Sequence, residues 1–144
     1  MDYRAKENAV LEFIKTHLNE YTVDLDAVTH FYNEWLDLSR YNFDVTLWTD
    51  FNAYAYQDLS SQSRLETGSL VVYIVCRNAV EQVLHDRLRD YTSAFFNMFE
   101  DTGCNFGGHA DYGIIESVKF FDAAEGNPTL KVAEMTITFY KEED

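Results

Sequence analysis

Residues 68–103 read GSLVVYIVCRNAVEQVLHDRLRDYTSAFFNMFEDTG, and a change of hydrophobic period inside this stretch decides the fold. Leu70 through Cys76 form an unbroken apolar run rich in β-branched side chains and opened by Gly68. Such a run predicts a central strand buried on both faces. From residue 79 the spacing becomes helical: Val80, Val83, Leu84, Leu88, Tyr91, Phe95, Met98 and Phe99 make one stripe of a helix over 79–101, closed by Gly103. Asn78 and Glu81 stand at the spacing of a capping box, which would end the strand and start the helix. At about 1.5 Å per residue the helix is roughly 34 Å long, enough to cover one face of a sheet. Its other side carries Glu81, Gln82, Asp86, Arg87, Arg89 and Asp90 and faces water.

Outward from this core, the C-terminal part predicts a β-hairpin. Ile114–Phe121 and Leu130–Tyr140 flank a turn around Gly126, Asn127 and Pro128. In the second strand Ala133, Met135, Ile137 and Phe139 alternate with Glu134, Thr136, Thr138 and Tyr140, so one side faces a core and the other faces water. Toward the N-terminus, Val45, Leu47, Phe51, Ala53 and Ala55 alternate with Thr46, Trp48, Asp50, Asn52, Tyr54 and Tyr56, which is strand spacing. Residues 58–67, with Ser60, Ser61, Gln62, Ser63 and Arg64, read as a loop. Residues 2–20 predict an amphipathic helix capped by Asp2, with Val10, Phe13, Ile14, His17, Leu18 and Tyr21 on its face. A second, weaker helical pattern over 24–39 places Leu25, Val28, Tyr32, Trp35 and Leu36 together behind Asp24 as cap.

With no internal repeat and no linker, residues 1–144 are expected to form one α+β domain. Its single antiparallel or mixed sheet has about four strands, with helices packed on it, in the order helix, weaker helix, strand, strand, helix, strand, strand.

The apolar fraction of 47% supports a self-sufficient core, so neither a metal nor a disulfide is needed for stability. Cys76 and Cys104 lie in unlike settings and show no disulfide or zinc spacing. The start of the chain lacks the pattern of a secretory signal, and no apolar stretch reaches the length of a membrane span. The expectation is a soluble cytoplasmic protein with free thiols. Twenty-five acidic against eleven basic residues give a net charge of −14. Direct nucleic-acid binding is disfavoured, because phosphate contacts need clustered cations. Ten Tyr and eleven Phe exceed what a core of this size normally uses, and Tyr, apolar in body and polar at its tip, suits protein interfaces.

Reactive chemistry finds little support. His17, His30, His85 and His109 each lack a second His or Cys at metal spacing. Gly107, Gly108, His109, Ala110 and Asp111 combine glycines, an imidazole and a carboxylate, yet no nucleophile accompanies them, and a connecting loop is the expected reading. The glycines follow a helix and lack a Lys-Ser/Thr ending, so they are not a phosphate loop. Cys104 sits beyond a helix C-terminus, whose dipole disfavours a thiolate. The sequence therefore predicts no catalytic, metal or cofactor residues and a protein that is not an enzyme.

The half from Gly68 to Tyr140 resembles the tail terminator, or tail-completion and head–tail joining, proteins of phages and prophages. The resemblance lies in the strand Leu70–Cys76 ending in Arg77 and Asn78, a long helix carrying Leu84, Leu88, Tyr91 and Phe95, and a hairpin whose last strand runs from Lys131 to Phe139. A helix over 24–39 would be an addition to that pattern. The resemblance implies a structural subunit, first in the host cytoplasm and then in the virion tail. It implies a homo-hexameric ring on the tail tube that meets the head connector proteins. A ring needs two different patches per subunit. Candidate patches are Trp48, Tyr54 and Tyr56, and Thr136, Thr138 and Tyr140. Charge and tyrosine content equally suit an acidic immunity or inhibitor protein that sequesters a basic nuclease or DNA-handling enzyme; a third reading is a small-molecule-binding or enzymatic domain with its pocket between the 79–101 helix and the sheet.

Overall fold

The structure is a computed structural model that describes residues 2–33, 43–122 and 129–143. The two halves of the deciding stretch fold as their periods require. Strand β3, Arg64–Arg77, buries Leu70, Val71, Val72, Ile74, Val75 and Cys76. Helix α2, Glu81–Asp101, buries Leu84, Leu88, Tyr91, Phe95, Met98 and Phe99 and packs on β3 and β5. Val80 and Val83, counted in the predicted stripe, are exposed. The capping box does not form: the Asn78 side chain accepts from the Val80 backbone N–H at 2.8 Å, and no side chain caps the helix. Its C-terminus closes on Gly103 at φ 91°, with the Cys104 N–H donating to the Phe99 carbonyl at 2.9 Å. That six-residue closure needs a positive φ, which glycine supplies without strain.

Five strands form one mixed sheet in the order β1-β2-β3-β5-β4. β2 (Val45–Asp58) pairs antiparallel with β3, β3 with β5 (Leu130–Glu143), and β5 with β4 (Tyr112–Phe121). The expected hairpin is therefore present as β4–β5, although most of its turn lies outside the described residues. The expected loop over 58–67 shrinks to residues 59–63, because β2 and β3 stay paired out to Asp58 and Arg64 while β5 follows β3 as far as Glu143. Ser60 Oγ accepts from the backbone N–H groups of Gln62 and Ser63 and closes the turn.

The N-terminal helix α1, Tyr3–His17, begins at Asp2, whose carboxylate accepts from the Ala5 N–H at 3.1 Å, as its sequence predicts. A single 3-10 turn, Leu18–Glu20, ends it. The second helix predicted over 24–39 is not found in its described part. Residues 24–30 carry no helix, and Phe31–Tyr32 form β1, a short strand parallel to β2. Residues 34–39 lie outside the described residues. The cause is local competition for the backbone. Asn19 clamps Val28 through both its N–H and its carbonyl, at 2.9 and 2.8 Å, and Tyr91 donates to the Asp26 carbonyl at 2.6 Å. These bonds hold the segment extended while Val28 is buried.

Both helices contribute to one core on one face of the sheet. Val10, Ile14 and Leu18 of the N-terminal segment meet Leu84, Leu88, Phe95 and Phe99 of α2 over Leu47, Leu70, Ile74, Met135 and Ile137. Each fully buried Leu, Ile or Phe contributes roughly 1.5–3 kcal/mol relative to exposure. Among the described residues the fold is thus two layers deep, with helices on one side only.

Candidate functional site

The one-sided layering leaves the other face of the sheet to be accounted for, and the strand registers assign it row by row. Toward the β1 end of that face, Trp48, Val75, Leu130 and Val132 form a second buried cluster, with Trp48 stacked on Tyr73 at 4.8 Å between centroids. Toward the far end no described element covers the face. One row crosses Ala53, Ser69, Thr138 and Ile114, and the next crosses Ala55, Thr67, Tyr140 and Tyr112. Ala53 and Ala55 are exposed, as are Tyr112 at 51% and Ile114 at 47%, while the hydroxyl residues between them are half-buried. Tyr112 and Tyr140 stack with centroids 4.7 Å apart. These two rows contain no charged residue in a chain of net charge −14. A neutral surface of small, hydroxyl and apolar side chains can be desolvated at far lower cost than the charged surface around it.

The six candidate interface residues fall in two places. Thr136, Thr138 and Tyr140 share this bare side, next to Val71, Ser69 and Thr67 of β3. Trp48 lies on the same side of the sheet but is buried. Tyr54 and Tyr56 point to the helix side, because the pairing of β2 with β3 shifts between Phe51 and Ala53 and Asn52 becomes the extra residue of a bulge. Past a bulge the alternation reverses, so the three aromatic residues do not form one surface.

Tyr54 and Tyr56 instead anchor α1. The Tyr56 hydroxyl meets that of Tyr3 at 2.5 Å, and Tyr54 donates to Glu7 at 3.2 Å. Lys6 forms an ion pair with the fully buried Glu66 and lies 5.1 Å from the centre of the Phe139 ring. Burial pushes the Glu7 carboxyl above its ordinary range; the Tyr54 hydrogen bond opposes this shift, and Asp50 adds to it. The Tyr54 hydroxyl is raised as well, first by burial and then by the Glu7 charge.

The loop that most resembles a reactive site is engaged in structure. Asp111 accepts from the Glu142 N–H at 2.7 Å and faces Lys141 at 3.6 Å, while Lys141 also donates to the Gly108 carbonyl at 3.1 Å. These bonds tie the loop to the end of β5. Burial raises the Cys76 thiol to about 12, and Cys104 is raised by burial and by Glu100, so neither favours a thiolate. Among the described residues, no group of three His, Cys, Asp or Glu side chains is arranged to hold a metal ion. No described helix is long and apolar enough to cross a membrane. A cleft of about 420 Å³ opens beside the start of β2, lined by Asp26, His30, Phe43, Asp44, Arg87 and Tyr91. His30 and Phe43 stack there at 3.5 Å.

No family model matches this chain, and no curated protein does. Among solved structures it is similar to a chain of the virion of a native gene transfer agent particle. The identity is 11% and the TM-score 0.47, over 94% of this chain and 98% of that one. A likeness this distant carries no functional inference.

Of the eight residues in the two rows, the sequence marked only Thr138 and Tyr140 as candidates. It began β4 at Ile114, so Tyr112 fell in a loop, as did Thr67, and it grouped Ala53 and Ala55 with Val45, Leu47 and Phe51. The signal for the first was available: Tyr112 and Ile114 alternate with Gly113 and Ile115. A bulge at Asn52 leaves no comparable mark.

Proposed function

We propose that this chain is a structural subunit of a phage or prophage tail, of the tail-terminator kind, that works by contact and not by catalysis. The observation that carries the reading is the bare, uncharged pair of rows from Ala53 to Ile114 and from Ala55 to Tyr112 on an otherwise acidic molecule. An enzyme concentrates its chemistry in a concave site, whereas an assembly subunit needs flat surfaces that shed water cheaply. The strand, long helix and hairpin on which the resemblance rests are β3, α2 and β4–β5. In this reading the chain forms a ring, hexameric in the family, on the end of the tail tube and presents another surface to the head connector. A predominantly negative exterior near DNA in transit would discourage sticking by repulsion.

Co-expression with the tail-tube protein encoded in the same gene cluster tests this. The reading expects tubes of limited length with the chain at one end, seen by electron microscopy. Tubes of unaltered length, with the chain left unbound and instead recovered as a monomer on a basic nuclease, would favour the immunity-protein reading that the −14 charge also suits.

A further inference from the structure

We propose that the outer edge of β4 pairs with the same edge of a second copy, joining two sheets across a two-fold axis at Val118. β4 ends the sheet, and among the described residues no strand pairs with its outer side. Three of its large side chains are exposed: Tyr112, Ile114 and Phe121, the last at 45%.

The register follows from the pleat. Ile114, Ser117, Lys119 and Phe121 share the side away from the helices, since they pair with Thr138, Thr136, Glu134 and Val132. Ile115, Val118 and Phe120 pack against the core, and Glu116 is the extra residue where the pairing shifts. Antiparallel strands must match like-facing residues, so a two-fold axis has to pass through a residue pair. With the axis at Val118, Ser117 stands opposite the partner's Lys119, and Ile114 opposite the partner's Phe121. Ile115 then opposes Phe120, and Glu116, the extra residue, stands with Ser117 opposite Lys119 of the other copy. Moving the axis to Lys119 would set that lysine against itself, and moving it to Ser117 would set Lys119 against Ile114. Of the three, the Val118 register alone brings Lys119 next to an acid of the other copy, and it sets exposed Ile114 against exposed Phe121, with Tyr112 beyond the paired span.

A bulge and a lysine on an edge strand usually turn other strands away. Here the same two features suit a second copy of this chain, which adds an acid on the open side of a lysine that faces Glu134 of its own β5 on the other. The inference concerns the free chain and does not rest on the tail reading.

Sedimentation velocity over a range of concentrations tests it, on the wild type, Glu116→Lys, Lys119→Glu and the double exchange, with circular dichroism to confirm folding. The expected result is a wild-type dimer whose dissociation constant rises about tenfold or more in each single variant, where two charge pairs become repulsive, and recovers in the double exchange. Phe121→Lys is expected to be monomeric. A wild type that stays monomeric throughout, or a dimer indifferent to the single exchanges, or a double variant no better than the singles, would overturn the proposal.

Discussion

Glu7 shows at the scale of one side chain how α1 is held. Its carboxyl is raised above the 4.5 of a free glutamate, chiefly by burial, so the fold favours the neutral form. The stability tied to this preference is fully present below pH 4.5 and is lost as pH rises through the raised value. Glu7→Gln keeps an acceptor for Tyr54 and cannot ionise. The variant should melt above the wild type at neutral pH, by about 1–2 °C because the carboxyl is only partly buried, and the gap should close in acid. Thermal scans across pH measure this; a variant that melts lower at neutral pH, or a gap that persists in acid, would contradict it. None of these contacts was legible in the sequence, since Glu7 and Tyr54 meet only when α1 crosses the sheet. What could be read at this scale was local: the Asp2 cap and the Gly103 stop each act within a few residues of themselves.

Among the elements, α2, β3 and the β4–β5 hairpin were legible because their hydrophobic periods run long enough to dominate local competition. The missed features turn on single polar residues that leave no periodic mark. Asn19 holds Val28 extended where the pattern suggested helix, and Asn52 reverses the facing of Tyr54 and Tyr56. Gly68 also gained a meaning that its sequence position did not give. It was read as the start of a strand but sits inside one, opposite Tyr54 on one side and Phe139 on the other. The tip of the Phe139 ring lies over it, and a Cβ at Gly68 would come within 2.0 Å of that ring's Cζ. The ring in turn packs against Phe51 and Tyr54 at centroid separations of 5.9 and 6.2 Å, so it has little room to retreat. Gly68→Ala should therefore destabilise by about 2 kcal/mol, roughly 5–8 °C in melting temperature. Adding Phe139→Leu to that variant should restore part of the loss. An unchanged melting temperature for the single variant would mean that the ring is free to move.

For the molecule as a whole, the division of labour between the two sheet faces organises the account. The helices fill one face, a second cluster around Trp48 covers one end of the other, and two adjacent rows of the remainder are uncharged. Composition pointed toward contact surfaces through the excess of tyrosine, yet it could not locate them. Position on a face depends on register and bulges, not on residue counts. Thr138 stands in the middle of the bare rows, between Ser69 and Ile114. The most direct measurement is cosedimentation of purified chain with tubes assembled from the tail-tube protein of the same gene cluster, comparing the wild type with Thr138→Arg. The account predicts that the wild type pellets with the tubes and that Thr138→Arg remains in the supernatant, while its melting temperature stays within about 2 °C of the wild type. Equal pelleting of the two, or no pelleting of either, would contradict it.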